Sequence, residues 1–253
     1  MKLKDIAEWK YRGFKEYWFD ENEDYHNPDG PAIITKNEIS WYIHGIRHND
    51  NGPAKIEKRT MGGEVITYMQ NGELHREDGP AQIGTTPNAH CERWSNHYQT
   101  HRENGPAFTS WFDNDRSQIR EQTWMILGEY KPQEKWYSMI EYQRNGKVLN
   151  RYAKLGPVGH GGFLHREDGP ALETYWENGN IRRTAYYNNS HLHRTTGPAH
   201  IDYDESGKPD GLAWYLDGKE LGEYTIYNHV FSLDMEPPEG FKEAASKYPK
   251  WGD

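Results

Sequence analysis

Short apolar stretches recur along the chain, and most of them open on an alanine. "AIIT" (32–35), "AKIE" (54–57), "AQIG" (81–84), "ALETYW" (171–176) and "AHIDY" (199–203) alternate or pair apolar with polar positions over a few residues. That is the pattern of short β-strands with one face buried. Turn chemistry separates them. Asn-Gly and His-Gly in "YMQNGELH" (68–75) and "YIHGIRH" (42–48) favour positive φ and tight hairpins, and "ENGN" (177–180) and "DESGKPDG" (204–211) read as further turns. The prediction is a mainly-β chain of many short strands.

The alanines belong to a longer repeated word. "HREDGPA" stands at 75–81 and again at 165–171, with relatives at 26–32, 48–54, 101–107 and 193–199. A ring lies seven residues before the His in most copies: Phe19, Trp41, Tyr68, Trp94 and Tyr186. Only Val158, before His165, breaks the rule. A catalytic motif has little reason to recur, whereas a structural unit does. His48, His75, His101, His165 and His193 are therefore assigned to the fold, with Trp41, Tyr68, Trp94 and Tyr186 at equivalent places. Each unit is expected to hold about three strands. The Asp/Asn-Gly-Pro corner is turn chemistry, and Pro lacks an N–H, which suits the first residue of a strand.

The whole predicts an elongated, twisted antiparallel sheet of repeated hairpins, closed by a short C-terminal helix after Pro238. Residues 1–18 read as an N-terminal cap, 19–108 as repeats one to four, and 164–233 as repeats five and six with a closing unit. Residues 234–253 form a tail. The segment 109–163 lacks the heptad and reads as a degenerate repeat. There "WMILG" (124–128) and "YQRNG" (142–146) match the ring-to-Gly spacing of "WYIHG" (41–45), and Gly156-Pro157 resembles a decayed corner.

Composition narrows the function. The net charge of −9 argues against broad binding to nucleic-acid backbone. Mean hydropathy is −1.11, yet 14% of residues are aromatic, so burial must come largely from rings. A single Cys91 excludes an intrachain disulfide framework, and no apolar run has the length of a leader or a membrane helix. The expectation is a cytoplasmic protein. The nucleophile-elbow, Walker and zincin motifs are missing, and His191 and His193 read as structural rather than as a metal pair. No catalytic residue, metal or cofactor is predicted.

The heptads with their upstream "WYxxG" stretches resemble repeats of largely uncharacterised proteins of large bacteriophages and giant viruses, patterned W-Y-x-N-G-x-x-H-R-x-D-G-P-A. More loosely the units are similar to MORN β-hairpin repeats. The resemblance spans roughly 18–222. The MORN likeness implies scaffolding and protein or lipid contact, and the phage association implies a host-directed role such as inhibition of a host enzyme or defence factor.

Two functional readings follow. One is a non-catalytic interaction protein with another protein as partner, binding through the sheet face or through Trp136, Tyr137 and His160 of the atypical segment. The other is a binder or hydrolase of a small anionic ligand or nucleotide on a repeated His/Arg ladder including Arg102 and Arg166. An unpaired edge strand would also allow copies of the chain to associate.

Overall fold

The computed structural model describes residues 15–132, 137–157, 161–225 and 236–247. It is mainly β and antiparallel, with a short helix, Phe241–Ala245. The chain divides into two compact units, residues 1–119 and 120–253.

In the first unit, main-sheet strands follow chain order. Glu16–Tyr17 pairs with Ile33–Ile34, which pairs with Glu38–Ser40, which pairs with Lys55–Lys58. Glu64–Thr67, Gln82–Thr86, Ala89–Arg93 and Phe108–Trp111 continue the series. The second unit repeats the scheme from Met139–Tyr142 through Val148–Tyr152, Leu172–Tyr175, Ile181–Ala185 and His200–Tyr203 to Pro209–Leu216 and Lys219–Thr225. Sheet positions that alternate inward, among them Ile39, Ile56, Ile140, Ile201 and Leu212, are buried. The helix packs Phe241 and Ala245 onto Ile201, Leu212, Trp214 and Leu216.

Between main-sheet strands the chain makes miniature hairpins of two residues a side, such as Tyr42–Ile43 with Ile46–Arg47 and Met69–Gln70 with Glu73–Leu74. Each repeat thus holds four strands, two long and two short, rather than three. The short ones exist because the loop residues sit at positive φ: His44-Gly45, Asn71-Gly72, His97-Tyr98, Leu127-Gly128 and Asn189-Ser190, and Asp217-Gly218 makes the same turn between the last two long strands. Two consecutive residues there reverse the chain with the twist that strands prefer. Successive miniature hairpins are tied to one another, as Gly45 N–H donates to Tyr25 O and Gly72 N–H to Arg47 O, both at 2.9 Å. They form a second row beside the main sheet within each unit.

Two backbone bonds mark every repeat. The N–H of the ring residue donates to the next corner alanine's carbonyl, at 2.7–2.9 Å for Trp41, Tyr68, Trp94 and Tyr186, and the repeat His N–H donates to the ring residue's carbonyl at 3.0–3.2 Å. The corner alanines Ala32, Ala54, Ala81, Ala107, Ala171 and Ala199 are fully buried, which is why no larger residue stands there.

The same bonds identify where the heptad has decayed. Trp124 N–H donates to Ser138 O and Lys131 N–H to Trp124 O, so Lys131 and Ser138 occupy the His and Ala places. Ser138 is fully buried and its hydroxyl donates to the Lys154 carbonyl at 2.9 Å. Ala153 takes the ring place before His165, and the longer intervening loop carries the strands Lys154–Pro157 and Phe163–Leu164. That loop explains the mismatch at Val158, a residue outside those described.

Three expectations are corrected. "YQRNG" is not a miniature hairpin; Gln143–Lys147 turns the chain between two main-sheet strands. Gly156-Pro157 is not a corner, since it pairs with Glu129–Tyr130. The first ring is Trp18, not Phe19, because Trp18 makes both marker bonds while Phe19 is 52% exposed.

Candidate functional site

The corners answer what the heptad's polar residues do. The Nδ1 atom of each of four repeat histidines accepts the N–H of the first positive-φ residue in the next hairpin loop. Distances are 3.1 Å for His26 to His44, 3.0 Å for His48 to Asn71, 3.4 Å for His165 to Asn189 and 3.0 Å for His193 to Asp217. This bond puts the ring proton on Nε2 and links one repeat to the next. His193 is 2% exposed, and burial lowers its pKa against the opposing pull of the Asp217 charge.

The residue after His closes the corner. Arg102 and Arg194 donate to the carbonyls of Pro106 and Pro198, each at 3.3 Å. In the first two heptads Asn27 and Asn49 make the same bond to Pro31 and Pro53, at 3.0 and 2.8 Å. The arginines also cover their own repeat's ring. The guanidinium carbon lies 4.0 Å from the ring centre of Tyr68 for Arg76, 3.9 Å from Trp94 for Arg102 and 4.0 Å from Tyr186 for Arg194. A side chain on the corner glycine would strike this arginine: a Cβ on Gly79 would stand 2.7 Å from Cζ of Arg76, and one on Gly169 equally close to Arg166. Glycine here lets the guanidinium lie against the corner backbone. Acids complete the corner, with Arg76 Nε 2.7 Å from Asp78 and Arg166 Nε 2.9 Å from Asp168.

Among the residues predicted to bind a ligand, Trp136 and His160 lie outside the described residues. The structure brings Arg166 and Tyr137 together in the second unit, with Arg166 Nη1 donating to the Tyr137 hydroxyl at 3.0 Å. Tyr137 is 5% exposed at the corner's proline place, and burial, reinforced by Glu173, holds its hydroxyl well above the usual phenol range. Both side chains thus serve the interior. Arg102 belongs to the first unit and is held against Trp94.

Sequence reasoning missed a polar network around these residues. Arg151 donates to the Tyr175 hydroxyl at 3.0 Å, and Glu141 accepts from Asn150 at 2.7 Å and from the Tyr152 hydroxyl at 2.9 Å. Glu121 faces Glu141 across adjacent strands. Burial raises its pKa, and the Glu141 charge adds to that against a bond from Thr123. Alternation along each strand carries the signal for this face, but partners on neighbouring strands cannot be read before the register is known.

Asp20, His26 and His44 are the described residues whose His, Cys, Asp or Glu ligand atoms gather within 4.8 Å. Nδ1 of His26 already accepts the His44 N–H, and Nδ1 of His44 lies 2.7 Å from Asp20. His26 and His44 lie with ring centres 4.2 Å apart, and His75, His97 and Glu73 repeat the ring pair and the acid contact. The grouping is thus a feature of the repeat, and a metal would have to displace the linking bond.

What the corners leave open is a groove of about 580 Å³ in the first unit. Its walls are the successive loops at Pro28–Gly30, Asn49–Pro53 and His75–Asp78, and its floor carries Trp41, Tyr68, Met69 and Gln70. Asp29, Asp50, Glu77 and Asp78 line it. Among the described residues, no helix is long and apolar enough to cross a membrane.

Compared with known proteins, the chain matches no family model and no curated protein.

Proposed function

We propose that the chain is a non-catalytic repeat protein that holds another protein in the groove between successive heptad corners. The groove carries this reading: it combines half-buried rings, amides and carboxylates on walls that hydrogen bonds already fix. Aromatic floors with polar rims are the ordinary composition of interface centres. The anionic-ligand alternative is the weaker reading, because the arginines cover their own rings and the corner histidines accept from backbone. The resemblance to phage repeat proteins supports a host enzyme or defence factor as the partner.

The test is site-specific photo-crosslinking in host lysate. A crosslinking side chain placed at Gln70, in the groove, should capture a defined protein that the same probe at exposed Asn145 does not. Capture only from Asn145, or none from Gln70, would refute the groove as the binding site.

A further inference from the structure

Trp41 differs from three later repeat rings in one respect. Tyr68, Trp94 and Tyr186 each carry the guanidinium of their own repeat at 3.9–4.0 Å. The corresponding residue behind Trp41 is Asn49, which makes the corner bond to the Pro53 carbonyl but has no cation to offer. Among the described residues no cation lies over Trp41, although the ring packs against Ile39 and Ile56 and is open to the groove. Four carboxylates line the same groove, together with Arg76. Asp50 stands 3.2 Å from His48 and Asp78 2.7 Å from Arg76, while Asp29 and Glu77 lie exposed on the groove's walls.

We propose that this groove takes an arginine side chain from a basic segment of a protein partner, its guanidinium seated over Trp41 where later repeats seat their own. The inference rests on the protein-binding reading above and specifies the partner's chemistry. A guanidinium is planar and weakly hydrated, so it stacks on indole better than an ammonium does. The carboxylates can take its N–H groups in charge-assisted bonds. The same carboxylates repel an anion.

The chain itself supplies the competitor. Asn49→Arg restores the later heptads' pattern, and Gly52 stands where Gly79 and Gly169 leave space for Arg76 and Arg166. The introduced guanidinium should occupy Trp41 and close the site without unfolding the chain.

The experiment titrates the full chain, at physiological salt, with the peptide Gly-Arg-Gly-Gly-Arg-Gly. Chemical shifts of backbone N–H groups and of the Trp41 indole are followed, the indole being identified by its loss in Trp41→Phe. Saturable shifts should centre on Trp41 and residues 28–30, 49–53 and 75–78. Asn49→Arg should weaken them at least about tenfold. Glu177→Gln, which makes the protein less negative at an exposed turn of the second unit, should leave them unchanged. The lysine peptide should bind more weakly and the glutamate peptide not at all. Unchanged affinity in Asn49→Arg, equal weakening in Glu177→Gln, or no localised shift overturns the inference. Specific crosslinking from Gln70 together with any of those results would retain the protein-binding reading and discard only the arginine.

Discussion

Replacing Arg102 separates the two tasks that the structure gives it. The guanidinium lies 3.9 Å from the centre of the Trp94 ring and donates to the Pro106 carbonyl at 3.3 Å. An asparagine at this position should keep the second contact, as Asn27 and Asn49 do in their corners. Arg102→Asn therefore removes the cation from the ring and little else. Both partners are half-buried, so the loss should be about 1 kcal/mol, between the exposed and desolvated limits for such pairs. Arg102→Ala loses the corner bond as well and should cost about 1 kcal/mol more. For a chain of this size each kcal/mol lowers the melting temperature by about 2–4 °C. Urea unfolding of wild type, Arg102→Asn, Trp94→Leu and the double variant gives the coupling directly. A coupling near 1 kcal/mol supports the stack. A coupling within about 0.3 kcal/mol of zero, or equal losses for the asparagine and alanine variants, would refute the division of roles.

Ala81→Val puts two methyl groups into a fully buried corner and should cost about 1–3 kcal/mol in urea melts; an unchanged midpoint would show the corner to be loosely packed. Leu127 holds φ at +49° in a hairpin loop where other repeats have Asn71, Asn189 or Asp217, so Leu127→Asn should gain about 1 kcal/mol, and a lower melting temperature would contradict the strained turn. His193 has a folded pKa below its unfolded value of about 6.5, so its contribution is complete above that value and declines as pH falls below it. Stability measured from pH 7.5 to 5 should fall less steeply in His193→Gln, and parallel curves would show that His193 carries none of the dependence. Asp202 is raised by burial, but bonds from His200 and Arg183 outweigh this and bring it to about 2. Asp202→Asn should lower stability at pH 7, where the carboxylate's contribution is present, and the difference from wild type should vanish as pH falls from about 4 towards 2.

The sequence alone determined the repeat, its β character and the structural role of His and ring. Gly-Pro-Ala and its upstream ring recur because turn geometry and a fully buried alanine tolerate few residues, and local backbone chemistry is legible one unit at a time. The Asn-Gly and His-Gly loops were legible for the same reason. The chain could not show that Lys131, Ser138 and Ala153 stand in for His, Ala and a ring, because backbone bonds, indifferent to side chains, make that equivalence. Nor could it show what Asn does after the His in the first two heptads and Arg in the other four. Only when the chain folds back does each side chain find a proline carbonyl four residues ahead, and only the longer one also reaches the ring eight residues behind. The groove over Trp41 is likewise a tertiary fact. Its walls come from three separate corners, and stacking of the repeats sets the distance between them.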